Sequence, residues 1–266
     1  MGKILIYASY LTEFLRHLDI VSMVSSVKYL LFRKSHKHDR IVKSSQGYFF
    51  CRKNTNDFQF ANLAYERSVK KFILQRIESF DAFFDAGACI GDYSVLLSRY
   101  GLKCYAFEPI PDTFNILSRN ILLNEASDSI LPFSFGLGDF NHFEKFVFNQ
   151  VNTGDSHIVR TEGTGNCTVQ VKTLDSVFNS FNLGSDVRIL FKLDVEGMEK
   201  EALYGAREFI RYFDSITFII ESTHTPALLL KETLDQIAEF SYGIVDAYNI
   251  YAIKKCNFST EVTAAG

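Results

Sequence analysis

The sequence predicts an α/β fold built on a mostly parallel sheet with helices on both faces. Two observations carry this expectation. Short, near-continuous apolar runs recur from residue 82 onward with helical or turn-forming stretches between them, and the first run leads through the turn DAGACIG into an amphipathic helix. Strands buried on both faces read as such runs, whereas a sheet with one wet face alternates.

Taken in order, the chain opens with an arm of distinct character. Leu11, Phe14, Leu15, Leu18 and Val21, then Val24, Val27 and Leu31, recur at three- and four-residue steps, which predicts helix with one apolar face. The stretch RKSHKHDR from Arg33 is polar and basic. Residues 1–45 hold eight basic and three acidic side chains, a net charge of +5, which leaves −8 for the rest of a chain whose total is −3. Such an arm packs on the body of the domain, lies on an anionic membrane surface with its basic end at the head groups, or receives a partner protein. The membrane reading is a peripheral contact through residues 11–43.

Glu13, Arg16 and Asp19 interrupt the first apolar run too early for a signal peptide, and no window reaches the ~20 apolar residues of a membrane span. The total charge disfavours a nucleic-acid binder, which needs an excess of Lys and Arg. Five widely spaced cysteines, none in a C-x-x-C pair, argue against a disulfide framework or zinc site. They point to a reducing, cytoplasmic setting, at the inner membrane face if the arm binds lipid.

From residue 46 the pattern becomes mixed. GYFFCRK from Gly47 alternates like a strand, and NLAYERSVKKFILQRI from Asn62 has helical spacing. The apolar runs AFF (82–84), CYAF (104–107), ILPFSF (130–135), RILFKLD (188–194) and ITFIIE (216–221) follow, and GIVDAYNIYAIKK closes the pattern. Between the third and fourth runs, EKFVF and CTVQV alternate around Gly154, Gly163 and Gly165 and read as a β-hairpin insertion. Asp175 reads as the cap of a helix DSVFNSF. The domain expected from this pattern spans 46–258, with a disordered tail over 259–266.

The chemistry concentrates where the first two runs end. Asp85 stands at the carboxyl end of the first, glycines follow at 87 and 91, and a helix starts near Asp92. Gly87 permits a tight turn beside a ligand, and Gly91 permits close packing at the helix start. The second run ends in Glu108 and Pro109, where an acid can accept hydrogen bonds from both hydroxyls of a ribose. A dinucleotide fingerprint would place a second glycine at Cys89, and Asp85 would repel a pyrophosphate. The same acid suits a cationic nucleoside such as S-adenosylmethionine.

These segments resemble the FkbM-type S-adenosylmethionine-dependent methyltransferases. The resemblance runs through DAGACIGDYS (85–94), AFEPIPDTFNILSRNILLN (106–124), FGLGD (135–139), KTLDSV (172–177), LFKLDVEGMEKEALYGA (190–206) and IIESTH (219–224), with Cys89 where the family usually has asparagine. It implies a class I (Rossmann-like) seven-stranded sheet. It also implies that Asp85, Gly87, Ala88, Cys89, Gly91 and Tyr93 shape the cofactor pocket, that Glu108 with Pro109 holds the ribose, and that Gly138 and Asp139 receive the adenine. Asp194 would contact the cofactor amino group or the acceptor hydroxyl, and Glu196 and His224 join it as catalytic candidates. Glu199 reads as a helix-start residue, and Lys192 as pairing with a carboxylate or reaching solvent.

The implied activity is O-methylation, for which an alcohol needs a base as its proton leaves. Glu221, with Asn152, Asp155 and His157 in the insertion, is expected to bind a carbohydrate or glycoconjugate acceptor, and a lipid-linked glycan would account for the basic arm. A divalent metal on these carboxylates is compatible with their spacing, which does not require one. The other readings are a small-molecule or lipid acceptor, a nicotinamide-dependent oxidoreductase, and a non-catalytic membrane-associated module with a degenerate pocket.

Overall fold

The computed structural model describes residues 3–32, 34–147, 157–158 and 167–255. Two helices, α1 (Lys3–Arg16) and α2 (Ile20–Phe32), precede the hairpin β1 (Arg40–Ser44) and β2 (Gly47–Cys51). The short α3 (Asp57–Phe60) and α4 (Arg67–Leu74) lead into β3 (Ala82–Ala86), α5 (Asp92–Ser98), β4 (Lys103–Phe107), α6 (Pro111–Leu123) and β5 (Ile130–Phe133). A smaller sheet follows: β6 (Gly136–Leu137), β7 (His142–Val147), β8 (His157–Ile158) and β9 (Cys167–Lys172). The chain then returns through β10 (Ile189–Leu193), α7 (Glu199–Tyr204), α8 (Arg207–Tyr212), β11 (Ile216–Glu221), α9 (Ala227–Asp235), β12 (Phe240–Ile244) and β13 (Asn249–Lys254).

The main sheet has seven strands in the order β12-β13-β11-β10-β3-β4-β5. Strands β5, β4, β3, β10 and β11 are mutually parallel, and β13 runs antiparallel to both its neighbours. This is the expected class I architecture. The order reverses at β3, so a crevice opens at the carboxyl ends of β3, β4 and β10, where open sheets place ligands.

Because successive side chains point to opposite faces, Phe83 and Phe84 enter different cores. Phe83 joins Phe49, Phe58, Val69, Val95 and Leu117 under α4 to α6. On the other face Phe84 stacks on Tyr105 and Phe191 at 4.6 and 5.7 Å between ring centres. The parity that puts Phe83 on the first face also puts Asp85, Lys192, Asp194 and Glu221 there, all at one edge.

Several local expectations change. Helix α4 begins at Arg67 rather than Asn62, because the Asn62 side chain accepts from the Ala64 N–H in a turn and Glu66 has a left-handed backbone (φ 46°). Asp175 caps α8, accepting from the N–H groups of Glu208 and Phe209, while Thr173 caps the short 3₁₀ turn at Leu174–Ser176. Residues 40–44, read with the basic arm, form β1. The expected hairpin of the insertion exists between β7 and β9, but residues 148–156 and 159–166 lie outside the described part.

The arm is anchored by Phe14 and Tyr29, both buried against Phe58 at 6.3 and 6.0 Å. Asp19 begins α2 by accepting from Ser22 N–H and pairs with Arg40 at 2.8 Å. Glu13 accepts from the Ser45 N–H, and Asn62 donates to the Tyr10 carbonyl.

Candidate active site

The turn after β3 is shaped by two close approaches. Gly87 (φ 85°) lies so near the Asp194 carbonyl that a Cβ would sit 1.8 Å from its oxygen, so the glycine is demanded by the junction of β3 with β10. Gly91 (φ 85°) packs on Leu117 where α5 begins. Between them Cys89 adopts φ 49°, a left-handed conformation that asparagine tolerates better than most residues. Its thiol is pushed well up by burial.

The Cys89 N–H donates to Glu108 Oε2 at 3.0 Å, and Ile110 N–H donates to Oε1 at 2.8 Å. Glu108 is therefore held by backbone from two loops, with a further lone pair on each oxygen. Burial pushes its carboxyl up to about 7 despite these donors. Asp85, which accepts from Ser94 Oγ at 2.6 Å, is likewise pushed up to about 7 by burial, against the pull of Lys192 and Ser94.

Lys192 is buried beside Asp85 in the strand register and joins Asp194 at 2.6 Å and Glu66 at 3.9 Å. Burial favours its neutral form, but these three carboxylates raise it well above the usual lysine range. Burial also opposes the charge on Asp194, which Lys192 nonetheless holds below the ordinary carboxylate range. Glu66 accepts from the Tyr93 hydroxyl at 2.7 Å, and the Lys192 ammonium lies 5.0 Å from the centre of the Tyr93 ring. Glu221 is pushed up to about 8 by burial and by the Asp194 charge beside it.

Strand β10 ends at Leu193, and Glu196 and Gly197 are successive left-handed residues, so the expected turn at Gly197 is present. Asp194 and Glu196 consequently both line the cleft, which an extended chain would not allow. Glu196 Oε2 meets His224 Nε2 at 2.9 Å. Glu196, Glu221 and His224 offer ligand atoms within 4.8 Å of one another, close enough to share a divalent cation. Glu199 is fully buried and structural, accepting from the N–H groups of Val195 and Gly197 and from the Thr225 hydroxyl.

Of the residues named from sequence, Asp85, Gly87, Ala88, Cys89, Tyr93, Glu108, Pro109, Asp194, Glu196 and Glu221 line one cleft. Gly91 stands behind it as the cap of α5, and His224 is at the rim, its Nε2 close to the lining residue Glu196. Asp139 is exposed and, like Gly138, lies outside the lining, where β6 instead presents Gly136 and Leu137. Gly138 packs tightly on Val171 and Met198. Asn152 and Asp155 fall outside the described residues; His157 is placed in β8 by its backbone alone. Sequence reading missed the wall formed by Phe60, Tyr65 and Glu66. The only hint of it was an acid, Glu66, inside an otherwise ordinary helical pattern.

The raised carboxylates make stability depend on pH. Asp85 and Glu108 hold protons in the folded state that the unfolded chain releases near its ordinary values of 3.8 and 4.5. Their contribution is full below those values and is lost as pH rises through about 7. Asp81, held at about 2 by Arg188, acts in the opposite sense only in more acidic solution. The ligand-free protein is thus expected to melt at a lower temperature at pH 8 than at pH 5.5. Thermal unfolding across that range checks this, and Glu108→Gln should flatten the slope.

Residues 85–258 match the methyltransferase FkbM domain family. The chain is 28% identical over 167 residues to the hexuronic acid methyltransferase AglP of Haloferax volcanii, covering 63% of this chain and 66% of that protein. It is 27% identical over 173 residues to the methyltransferase sdnD of Sordaria araneosa, covering 54% and 66%. A solved methyltransferase FkbM from Methylobacillus flagellatus aligns with a TM-score of 0.48 at 17% identity over 75% of this chain and 56% of that one. The chain spans just under two thirds of the length of the curated relatives it matches. Since the family match takes in well over half of the chain, with Asp85, Glu108, Asp194 and Glu221 inside it, the protein belongs to the FkbM methyltransferase family.

Proposed function

We propose that the protein transfers a methyl group from S-adenosylmethionine to a hydroxyl oxygen of a sugar in a glycan or glycoconjugate. The observation that carries this reading is Glu108, a buried acceptor fixed by two backbone N–H groups at the end of β4, facing a cleft that has both apolar walls and further carboxylates. The residues present fit the cofactor. Glu108 has lone pairs for two ribose hydroxyls, Phe107, Ile110 and Leu137 supply apolar walls for a base, and Asp85, Glu66 and Asp194 favour a cation. A pyrophosphate would meet the same acids and be repelled. When bound, the cofactor supplies an electrophilic methyl group on a sulfonium.

The protein's part is to align the acceptor and take its proton. His224, with one ring nitrogen held by Glu196, presents the other as the base, and Glu221 hydrogen-bonds the sugar. His224 would take the hydroxyl proton of the acceptor once its oxygen is methylated, so that no charged oxygen is left behind. A base favours an alcohol acceptor over a carboxylate, which would need none. The relative AglP is a hexuronic acid methyltransferase, which supports a sugar.

The test is transfer of labelled methyl from S-adenosylmethionine to uronic-acid-containing oligosaccharides. An ether product keeps its label in mild alkali; release as methanol, or no label in any glycan, overturns the reading. His224→Ala is expected to lower kcat by about 10²- to 10⁴-fold with cofactor affinity unchanged.

A further inference from the structure

Helix α2 is inside out. A helix on a globular body turns its apolar stripe to the core and its polar residues to water. Here the buried face carries Ser22, Ser25, Ser26 and Tyr29. The Ser22 hydroxyl donates to Asp19 and accepts from Arg40, and the Ser26 hydroxyl donates to the Ser22 carbonyl, so these serines are satisfied in place. The outward face carries Val21, Val24, Leu31 and Phe32, and Leu15 and Leu18 extend it from the end of α1. Leu18, Leu31 and Phe32 are 80%, 64% and 66% exposed, values that belong to a surface awaiting an apolar cover.

The charges beside this face say what the cover is. A groove runs between α2 and residues 34–40, floored by Val21, Val24 and Phe32 and edged by Lys28, Lys34 and Lys37. These three lysines are exposed and make no ion pair among the described residues. We propose that α1 and α2 form an in-plane anchor that seats this apolar face in an anionic lipid bilayer, with the three lysines at the head-group phosphates. Neither helix is long and apolar enough to cross a membrane, and at 14 and 13 residues they suit the interface. A second copy of the chain is a poorer cover, because it would bring a second set of the same three unpaired lysines to the contact and no acidic partner for them. The anchor is tied to the cleft: Tyr10 of α1 holds Asn62, between the cleft-lining residues Phe60 and Tyr65.

The test is flotation of the full-length protein with vesicles of phosphatidylcholine alone or mixed in equal parts with phosphatidylglycerol, a readout that needs no methyl transfer. The anionic vesicles are expected to carry the protein upward, and high salt to weaken the association. Lys28→Glu/Lys34→Glu/Lys37→Glu should reduce partitioning by about 100-fold. Val24→Asp/Leu31→Asp should reduce it by at least about tenfold. Both variants alter exposed side chains, so S-adenosylhomocysteine affinity and the circular dichroism spectrum should be unchanged. Absence of flotation, or flotation unaffected by either variant, overturns the proposal. A concentration-dependent dimer that Val24→Asp/Leu31→Asp dissociates, without vesicle binding, would assign the face to a second copy instead.

Discussion

Glu108→Ala is expected to reduce affinity for S-adenosylmethionine by about 10²- to 10⁴-fold, because it removes two hydrogen bonds to a charged acceptor inside a buried cleft. The side chain is 6% exposed and accepts one N–H from each flanking loop, so its loss also unties Cys89 from Ile110. Glu108→Gln separates these effects. The amide keeps the volume and can accept at one oxygen, so it should retain most of the stability while losing most of the affinity. Titration calorimetry with S-adenosylhomocysteine reads the affinity, and urea unfolding reads the fold. If Glu108→Gln bound as well as the parent protein, the ribose assignment would be refuted.

Lys192→Met is expected to destabilise the protein by about 3–5 kcal/mol, as removal of one partner from a buried charge cluster typically does. Lys192 is 4% exposed, and its ammonium faces Asp194, Glu66 and Asp85. Without it, these carboxylates must take up protons, and the pH dependence of stability should steepen. The urea midpoint should fall with an unchanged slope. A change below about 1 kcal/mol would mean that water already reaches the cluster and screens it.

The parts of this architecture that the sequence shows directly are those set by local chemistry. Asp85, the glycines at 87 and 91 and Glu108 declare themselves because a strand, a tight turn and a helix follow one another within a few residues. The inverted face of α2 does not, since periodicity tells which residues share a face and is silent on which way that face points. The wall at Phe60 to Glu66 was hidden for a related reason. Its break from helix comes from a left-handed Glu66 and from the Asn62 bond to Tyr10, a residue 52 positions away. Asp175 was assigned to the helix beside it in sequence, but it caps α8, more than thirty residues downstream. Strand β1 was masked by the basic run before it, its pairing with β2 being a property of both strands together.

The central claim is that the cleft at the ends of β3, β4 and β10 receives S-adenosylmethionine. Calorimetric titration of the full-length protein with S-adenosylmethionine, S-adenosylhomocysteine and a nicotinamide dinucleotide tests it most directly. The account predicts micromolar binding of the first two, strengthening as pH rises through about 7 where Glu108 ionises, and no binding of the dinucleotide. Absence of heat with both adenosyl ligands, or preference for the dinucleotide, would contradict it.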